Sequence, residues 1–237
     1  MFNYKVKYFI LFTLALTFRE GFCAGFNIGA TRIVYPENAK SVTISPSNNT
    51  TDTVFLVAAK VGTDKSGESS SPFKVTPPLF RMEPGTTNRV KIINTGGNLP
   101  RDRETLFYFI ASAIPSSSSA DKDNEENITG RMSLALKMII KFFYRPEGLN
   151  STPATGAANL QFKRLENGIN VKNDSPYYVS FSHIDVDGKK VEFITKSSQM
   201  ISPFSQQYYQ GNFKNGKVKW GVINDLGGVD NYAGETK

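Results

Sequence analysis

Side chains that carry most enzyme and metal chemistry are scarce in this chain of 237 residues. His183 is the only histidine, so neither a catalytic triad with an imidazole base nor a metal site with several histidines can be built. Cys23 is the only cysteine. His183 lies between Ser182 and Ile184 in a strand-like run, a position typical of a hydrogen-bonded structural histidine.

Carboxylates are plentiful, but the closely spaced acidic pairs lie where they could not be held rigidly. Two acidic pairs, Asp121 with Asp123 and Glu125 with Glu126, lie in the polar, low-complexity stretch S-S-S-S-A-D-K-D-N-E-E-N. Acid–base catalysis requires two carboxyl groups at a fixed separation, which such a segment does not provide. We therefore expect no enzyme, no cofactor and no metal site.

The remaining chemistry is that of binding through a β-strand. Residues 131–146 read R-M-S-L-A-L-K-M-I-I-K-F-F-Y-R-P, and their apolar positions alternate with polar ones, which places one apolar face on an extended chain. A strand of this length exceeds the usual five or six residues. Natural proteins cover or blunt a long apolar edge unless the edge receives another chain. The alternating residues are Met132, Leu134, Leu136, Met138 and Ile140.

Short apolar runs separated by Pro, Gly, Asn and Ser predict an all-β protein, with a sandwich of about seven strands followed by a second all-β block. No amphipathic helix is predicted, and residues 148–156 have the composition of a linker. The predicted strands of the first block are 26–35, 42–45, 54–61, 73–76, 90–93 and 106–113, before the strand already described. Those of the second block are 160–165, 169–172, 177–186, 190–195, 208–213 and 218–224.

Residues 1–24 have the pattern of a signal peptide. Lys5 and Lys7 precede an apolar run, 8–18, that is too short to span a bilayer. We expect export, a mature chain that starts at Ala24 or Gly25 and so lacks Cys23, and no membrane insertion after cleavage. Without a disulfide in an oxidising compartment, stability must come from burial.

The charge balance argues against nucleic acid as a partner. The net charge of +7 falls to +5 once Lys5, Lys7, Arg19 and Glu20 are removed. The remaining basic residues form no clustered run and no nucleic-acid-binding motif. A mildly basic surface favours acidic or carboxylate-bearing partners instead.

Six local phrases occur in the order that is found in periplasmic pilus chaperones of the chaperone–usher pathway, and the chain resembles that family over nearly all residues after 24. The phrases are I-G-A-T-R-I-V-Y-P-E (28–37), T-P-P-L-F-R-M-E-P-G (76–85), L-P-R-D-R-E-T-L-F-Y-F (99–109), I-K-F-F-Y-R-P (140–146), N-D-S-P-Y-Y-V-S-F (173–181) and W-G-V-I-N-D-L-G-G (220–228).

The resemblance implies two immunoglobulin-like sandwiches arranged in an L in the periplasm of a Gram-negative bacterium. The first domain would span 25–147 and the second 148–237. In the first, a long loop at about 114–130, called F1–G1, would lead into a donor strand at about 131–144, called G1. The expected function is to bind, fold and cap pilus or fimbrial subunits without ATP, by donor-strand complementation, and to deliver them to an outer-membrane usher.

The resemblance also assigns roles to single residues. Arg32 and Lys141 resemble the cleft pair that grips the terminal carboxylate of a subunit. Glu104, Arg145 and Asp225 resemble an interdomain charge network. The donor-strand residues would be Met132, Leu134, Leu136 and Met138, with Ile140 nearer the cleft.

Some expectations stay open at this point. The F1–G1 loop is long, yet the flanking positions Ala113 and Ile139 hold no cysteine, so the chain fits neither the short-loop subgroup nor the long-loop subgroup with a disulfide. The oligomeric state of the free protein is also open, and a homodimer in which G1 strands cap each other is one candidate for it. The alternatives are a secreted fimbrial subunit or adhesin and another extracellular immunoglobulin-like binding protein.

Overall fold

The computed structural model describes residues 25–116, 134–195 and 198–236. The predicted signal peptide 1–24, most of the predicted loop and Met132 lie outside these ranges. The strands of the first domain are β1 Phe26–Asn27, β2 Arg32–Pro36, β3 Val42–Ile44, β4 Ser47–Asn48, β5 Phe55–Gly62, β6 Phe73–Thr76, β7 Leu79–Met82, β8 Val90–Asn94, β9 Thr105–Pro115 and β10 Leu136–Arg145.

The second domain begins with a short helix and continues as strands. Its elements are α1 Pro153–Ala158, β11 Gln161–Leu165, β12 Gly168–Asn173, β13 Val179–Val186, β14 Lys189–Lys190, β15 Met200–Ile201, β16 Ser205–Gln210, β17 Lys217–Ile223 and β18 Val229–Glu235.

The first domain packs a five-stranded sheet, in the order β2-β10-β9-β5-β7, against a three-stranded sheet, β3-β8-β6. Inward-facing residues of both sheets form one core, in which the rings of Phe73 and Phe142 lie 4.7 Å apart. β10 is antiparallel to β9 and parallel to β2. The donor-strand candidate therefore lies inside the sheet over part of its length.

The second domain has its own core between the sheet β11-β12-β16 and the sheet β14-β13-β17-β18. The Trp220 ring lies in this core and donates a hydrogen bond from Nε1 to the carbonyl oxygen of Ala157 in α1, at 2.9 Å. Each domain thus buries its own apolar cluster, as expected of domains of about 100 residues that have no disulfide bond.

The first predicted strand, 26–35, is wrong as a single element. It is split because Gly29 adopts φ +76°, and a Cβ at that position would lie 2.9 Å from the carbonyl oxygen of Ser45. β1 therefore pairs with β4, whereas β2 crosses to pair with β10. This crossing brings Arg32 beside β10.

The flanks of the predicted loop also need correction. Ile114 and Pro115 belong to β9, because β5 continues to pair with β9 as far as Pro115. β10 begins at Leu136, and Leu134 is described outside any strand. Ala113 lies opposite Leu136, while Ile139 lies opposite Ile110, so Ala113 and Ile139 are not cross-strand neighbours.

Two further findings concern the described ranges alone. No helix there has the length and apolar character needed to cross a bilayer. Likewise, these ranges contain no cluster of three or more histidine, cysteine or acidic residues suited to a metal ion.

Candidate binding site at an open strand edge

The two halves of β10 have different neighbours. β9 pairs with β10 from Leu136 to Tyr144, but β2 pairs with it only from Lys141 to Arg145. On the β2 side, the stretch Leu136–Ile140 therefore has no strand neighbour among the described residues. Unpaired N–H and C=O groups on such an edge can receive another strand. We call Leu136–Ile140 the open edge.

Burial rises along β10 toward the cleft between the domains. The side chain of Leu134 is 65% exposed and that of Leu136 is 43% exposed, whereas Phe142 is fully buried. Met138 and Ile140 are partly buried and pack against the core of their own domain. The predicted donor residues thus divide into an exposed pair and a pair already in contact with the core, while Met132 lies outside the described ranges.

Arg32 and Lys141 are brought together at the end of the open edge. They are register partners on the parallel strands β2 and β10, and they form the first pair at which β2 joins the sheet. Arg32 comes from the strand after the Gly29 kink, and Lys141 comes from the outward face of β10. Both cations therefore stand where an added strand would have to stop.

Contacts from both domains hold the Arg32 guanidinium. Its Nη1 donates a hydrogen bond to the carbonyl oxygen of Ile223 in the second domain at 2.7 Å, and its Cζ lies 5.9 Å from the centre of the Phe143 ring. Its Nε is buried and has no hydrogen-bond partner among the described residues. Burial lowers the pKa of Arg32, while the charges of Asp225 and Glu104 act in the opposite direction.

Lys141 also reaches the second domain. Its Nζ donates a hydrogen bond to Oγ of Ser180 at 2.9 Å, and Ser180 is buried in β13. Burial, followed by the charges of Arg32 and Lys65, lowers the pKa of Lys141 to about 8. An anion placed between Arg32 and Lys141 would stabilise the charged form of this lysine.

The third predicted group is assembled across the domain boundary. Arg145 donates from Nε to Glu104 at 2.7 Å, and from Nη1 and Nη2 to the two carboxylate oxygens of Asp225 at 2.7 and 3.0 Å. Glu104 also accepts a hydrogen bond from the backbone N–H of Tyr178 at 2.9 Å. The three side chains therefore connect the residue just before β9, the end of β10 and the turn after β17.

The two carboxylates of this network differ in environment. Glu104 is 3% exposed, and burial raises its pKa although Arg145 lies beside it. Asp225 is about half exposed. The pKa of Arg145 is raised by its hydrogen bonds and charge interactions with Asp225 and Glu104, which outweigh its partial burial. Arg145 is therefore satisfied by two acids, in contrast to Arg32 and Lys141.

The sequence did not assign several residues that complete the cleft. Ser180 and Ile223 bind the two cations, and Tyr178 packs its ring 5.5 Å from that of Phe143. Gly227, with φ +87°, lies against Thr31, so that a side chain there would collide with the hydroxyl of Thr31. The phrases N-D-S-P-Y-Y-V-S-F and W-G-V-I-N-D-L-G-G contain all four, but their letters alone do not reveal cross-domain contacts.

This arrangement can bind an anion. Among the described residues, neither Arg32 nor Lys141 forms an ion pair. A cavity of about 320 Å³ adjoins the cleft, and both charged and aromatic residues line it. His183 lies elsewhere, on the second domain, where its Nδ1 is 3.5 Å from Oγ of Ser182 and its ring covers Gly221.

Fold and site together define a two-domain immunoglobulin-like binding protein with an open strand edge beside a cationic cleft. Two family models match the chain. Residues 25–150 match the model described as "Pili and flagellar-assembly chaperone, PapD N-terminal domain", and residues 155–234 match "Pili assembly chaperone PapD, C-terminal domain". The chain belongs to the family of PapD-like pilus-assembly chaperones, whose role is not enzymatic.

Individual relatives agree with the family models. The chain is 35% identical over 226 residues to the probable fimbrial chaperone SfmC of Escherichia coli K12, a match that covers 95% of this chain and 94% of SfmC. It is 31% identical to the chaperone LpfB of Salmonella typhimurium, and the match covers 90% of both chains.

Solved structures show the same two-domain architecture. The E. coli chaperone DraB superposes with a TM-score of 0.76 at 32% identity, over 90% of this chain and 97% of DraB. The SafB chaperone, solved in complex with the SafA pilin of Salmonella enterica, superposes with a TM-score of 0.75 at 29% identity, over 90% and 97% of the two chains. The expected fold, two immunoglobulin-like sandwiches in an L, is confirmed.

Proposed function

We propose that this chain binds fimbrial subunits in the periplasm by adding the open edge of β10 to their incomplete sandwiches, and that it delivers them to an outer-membrane usher without ATP. The observation that carries the proposal is the position of Arg32 and Lys141 at the end of the open edge. Support also comes from the similar SafB chaperone, whose structure contains a pilin. The signal peptide at 1–24 would supply the export step.

The two cations would bind the C-terminal carboxylate of the subunit. Every subunit has such a group, and neither cation has an acidic partner within the described ranges. Charge-assisted hydrogen bonds to a carboxylate are about twice as strong as neutral ones. Fixing the chain end would also fix the register of the added strand, since a shift of one residue would move every side chain to the other face.

The anchor sets the direction of the subunit strand. That strand would lie beside Leu136–Ile140, with its C-terminal end at Arg32 and Lys141. It would therefore run parallel to β10, as β2 does. Its backbone groups would pair with the open edge of β10. The subunit would thereby receive a strand that its own chain lacks.

The exposed leucines of β10 would supply the apolar contact. Leu134 and Leu136 are available to a partner in the free chain, and burying such a side chain contributes roughly 1.5–3 kcal/mol. Met132, Met138 and Ile140 complete the proposed donor set. A neighbouring subunit could later replace β10 with a better-fitting strand, which would release the chaperone.

The test is capture of a coexpressed fimbrial subunit from the same organism. Arg32→Ala and Lys141→Ala are expected to abolish co-purification of the subunit without unfolding the chaperone. Arg89→Ala and Lys74→Ala remove exposed cations of the same domain away from the cleft and should leave capture unchanged. Normal capture by both anchor variants would overturn the assignment.

A further inference from the structure

The outward face of β10 carries a charge that the proposed anchor does not use. Met138 and Ile140 pack toward the core, so the alternate residues Lys137, Ile139 and Lys141 face outward. Lys137 is exposed, and it is the only charged residue of the open edge Leu136–Ile140. An added strand would lie directly beside it.

Lys137 lacks an acidic partner within the described ranges. Its Nζ is 3.4 Å from the carbonyl oxygen of Ser66, at the outer limit of a hydrogen bond. The nearby carboxylate of Asp64 is engaged in its own loop, where it accepts hydrogen bonds from Ser66, Gly67 and Ser69. Lys137 is therefore free to pair with an acidic side chain of a partner.

A further cation strengthens the positive potential on this face. Nζ of Lys65 lies 5.8 Å from the centre of the Tyr108 ring, and Tyr108 is the register partner of Lys141 on β9. The charge of Lys65 is one of the causes that lower the pKa of Lys141. The outward face is thus positively charged at both ends of the open edge, with Lys137 near one end and Lys65 and Lys141 near the other.

The anchor fixes which residue of a subunit would meet Lys137. Arg32 occupies the position beside Lys141, so the last residue of a parallel strand would lie beside Ile140. Counting back along the strand, the residue three before the last would lie beside Lys137. Residues at the same level on adjacent strands point to the same face, so this side chain would also face outward.

We propose that Lys137 is a specificity-determining residue that favours subunits carrying Asp or Glu three residues before their last residue. This inference rests on the proposed function, because it needs the carboxylate anchor to set the register. Opposite charges at neighbouring positions of exposed strands are worth little each, so the expected preference is about two- to fivefold in affinity.

The test uses the full mature chain and synthetic peptides. Each peptide has ten residues, alternates valine at inward and threonine at outward positions, carries an N-terminal fluorophore and ends in a free carboxylate. One version has Asp and another has Asn three residues before the last. Fluorescence anisotropy then gives the Asp-to-Asn affinity ratio for the wild type, for Lys137→Gln and for Lys60→Gln.

The ratio is expected to be about threefold for the wild type and to fall to about one for Lys137→Gln. Lys60→Gln is the matched control, because Lys60 is an exposed lysine on β5, two strands away from the open edge. It should keep the wild-type ratio. A peptide with Lys in place of Asp should bind better to Lys137→Glu than to the wild type.

A third peptide separates the two proposals. It is the Asp version with a C-terminal amide. Equal binding of the amide and carboxylate peptides would overturn the anchor and with it the proposed function. A required free carboxylate together with equal Asp and Asn affinities, or an Asp preference that survives Lys137→Gln, would overturn the specificity inference alone.

Discussion

Arg32 and Lys141 are direct register partners on parallel strands, so two cations face each other at the point where β2 joins β10. Like charges in such positions are destabilising. Each cation is hydrogen-bonded to an uncharged oxygen of the second domain, Ile223 or Ser180, and to no acid in the part of the chain that the structure describes. The free protein therefore keeps an uncompensated positive charge at the cleft, which an incoming carboxylate would relieve.

Subunit binding is expected to weaken as pH rises through about 8. The pKa of Lys141 is lowered to about 8, chiefly by burial, so this side chain loses its charge there. Affinity should be constant between about pH 5 and 7, where the peptide carboxylate and Lys141 are both charged, and fall steadily up to pH 9.5, as measured by anisotropy with a carboxylate-terminated peptide. Lys141→Arg keeps its charge and should give a flat profile. A flat wild-type profile would contradict the prediction.

The free protein should respond to pH in the opposite sense. Between about pH 8 and the usual lysine value of 10.5, the unfolded chain holds a proton on Lys141 that the folded chain has lost. The free energy of unfolding should therefore gain a positive contribution from this group as pH rises over that window. The urea midpoints of the wild type and of Lys141→Met, compared at pH 7.5 and 9.5, measure this contribution. If the difference between the two midpoints is the same at both pH values, the prediction is wrong.

Leu136 and Phe142 lie on the same face of β10, but their substitutions should act on different properties. Leu136→Asp should abolish subunit capture and shift the urea midpoint little, because this side chain is 43% exposed in the free chain. Phe142→Ala removes a fully buried ring and should destabilise the first domain by about 3–5 kcal/mol. Capture assays and urea unfolding distinguish these effects. Unfolding by Leu136→Asp would show that Leu136 belongs to the core.

Removing either carboxylate from the Arg145 network should have unequal consequences. Glu104→Ala leaves the partly buried N–H of Tyr178 without its acceptor and Arg145 with one acid, so we expect a loss of about 2–4 kcal/mol. Asp225→Ala removes a half-exposed partner and should cost about 1 kcal/mol or less. Urea midpoints test the ranking, and the reverse order would refute it.

Gly221→Ala should destabilise the second domain. A Cβ there would lie 2.5 Å from Cε1 of His183 and 2.9 Å from Cγ1 of Val229, and such overpacking typically costs about 1–3 kcal/mol. The double variant Gly221→Ala with His183→Ala removes the ring and should recover part of the loss. If the double variant is no more stable than Gly221→Ala, the ring is not the cause.

The strands with strong alternation were predicted well, because a strand buried on one face alternates apolar and polar residues with a period of two. β5, β6, β8 and β9 all lie within three residues of their predicted bounds. β18 was missed because V-D-N-Y-A-G-E has few strand-favouring residues, and its pairing with β17 holds it in place. β7 was missed because L-F-R-M is short and follows two prolines.

Two other differences have separate causes, one tertiary and one local. Residues 190–195 were predicted as a strand, but the ladder ends at Lys190, although Val191 is still buried in the core. The predicted linker, 148–156, overlaps α1, which Thr152 caps through its hydroxyl and in which Pro153 occupies the first turn. A threonine followed by a proline is a local helix-start signal.

The pairing of the site residues could be inferred only from the family resemblance. Nothing in the spacing of Arg32 and Lys141 places them together, since 108 intervening residues and the kink at Gly29 determine their encounter. The contacts of Ser180 with Lys141 and of Ile223 with Arg32 depend on how one domain packs on the other. Such cross-domain contacts leave no periodic signal in a single sequence.

The attachment of the open edge to β9 has a consequence for the thermodynamics of capture. Leu136–Ile140 is held extended along one side before any partner arrives. A flexible segment would lose roughly 1–2 kcal/mol per residue in backbone entropy on being ordered, and this preorganised segment avoids most of that loss. Most of the backbone conformational entropy that is lost on binding therefore comes from the incoming chain.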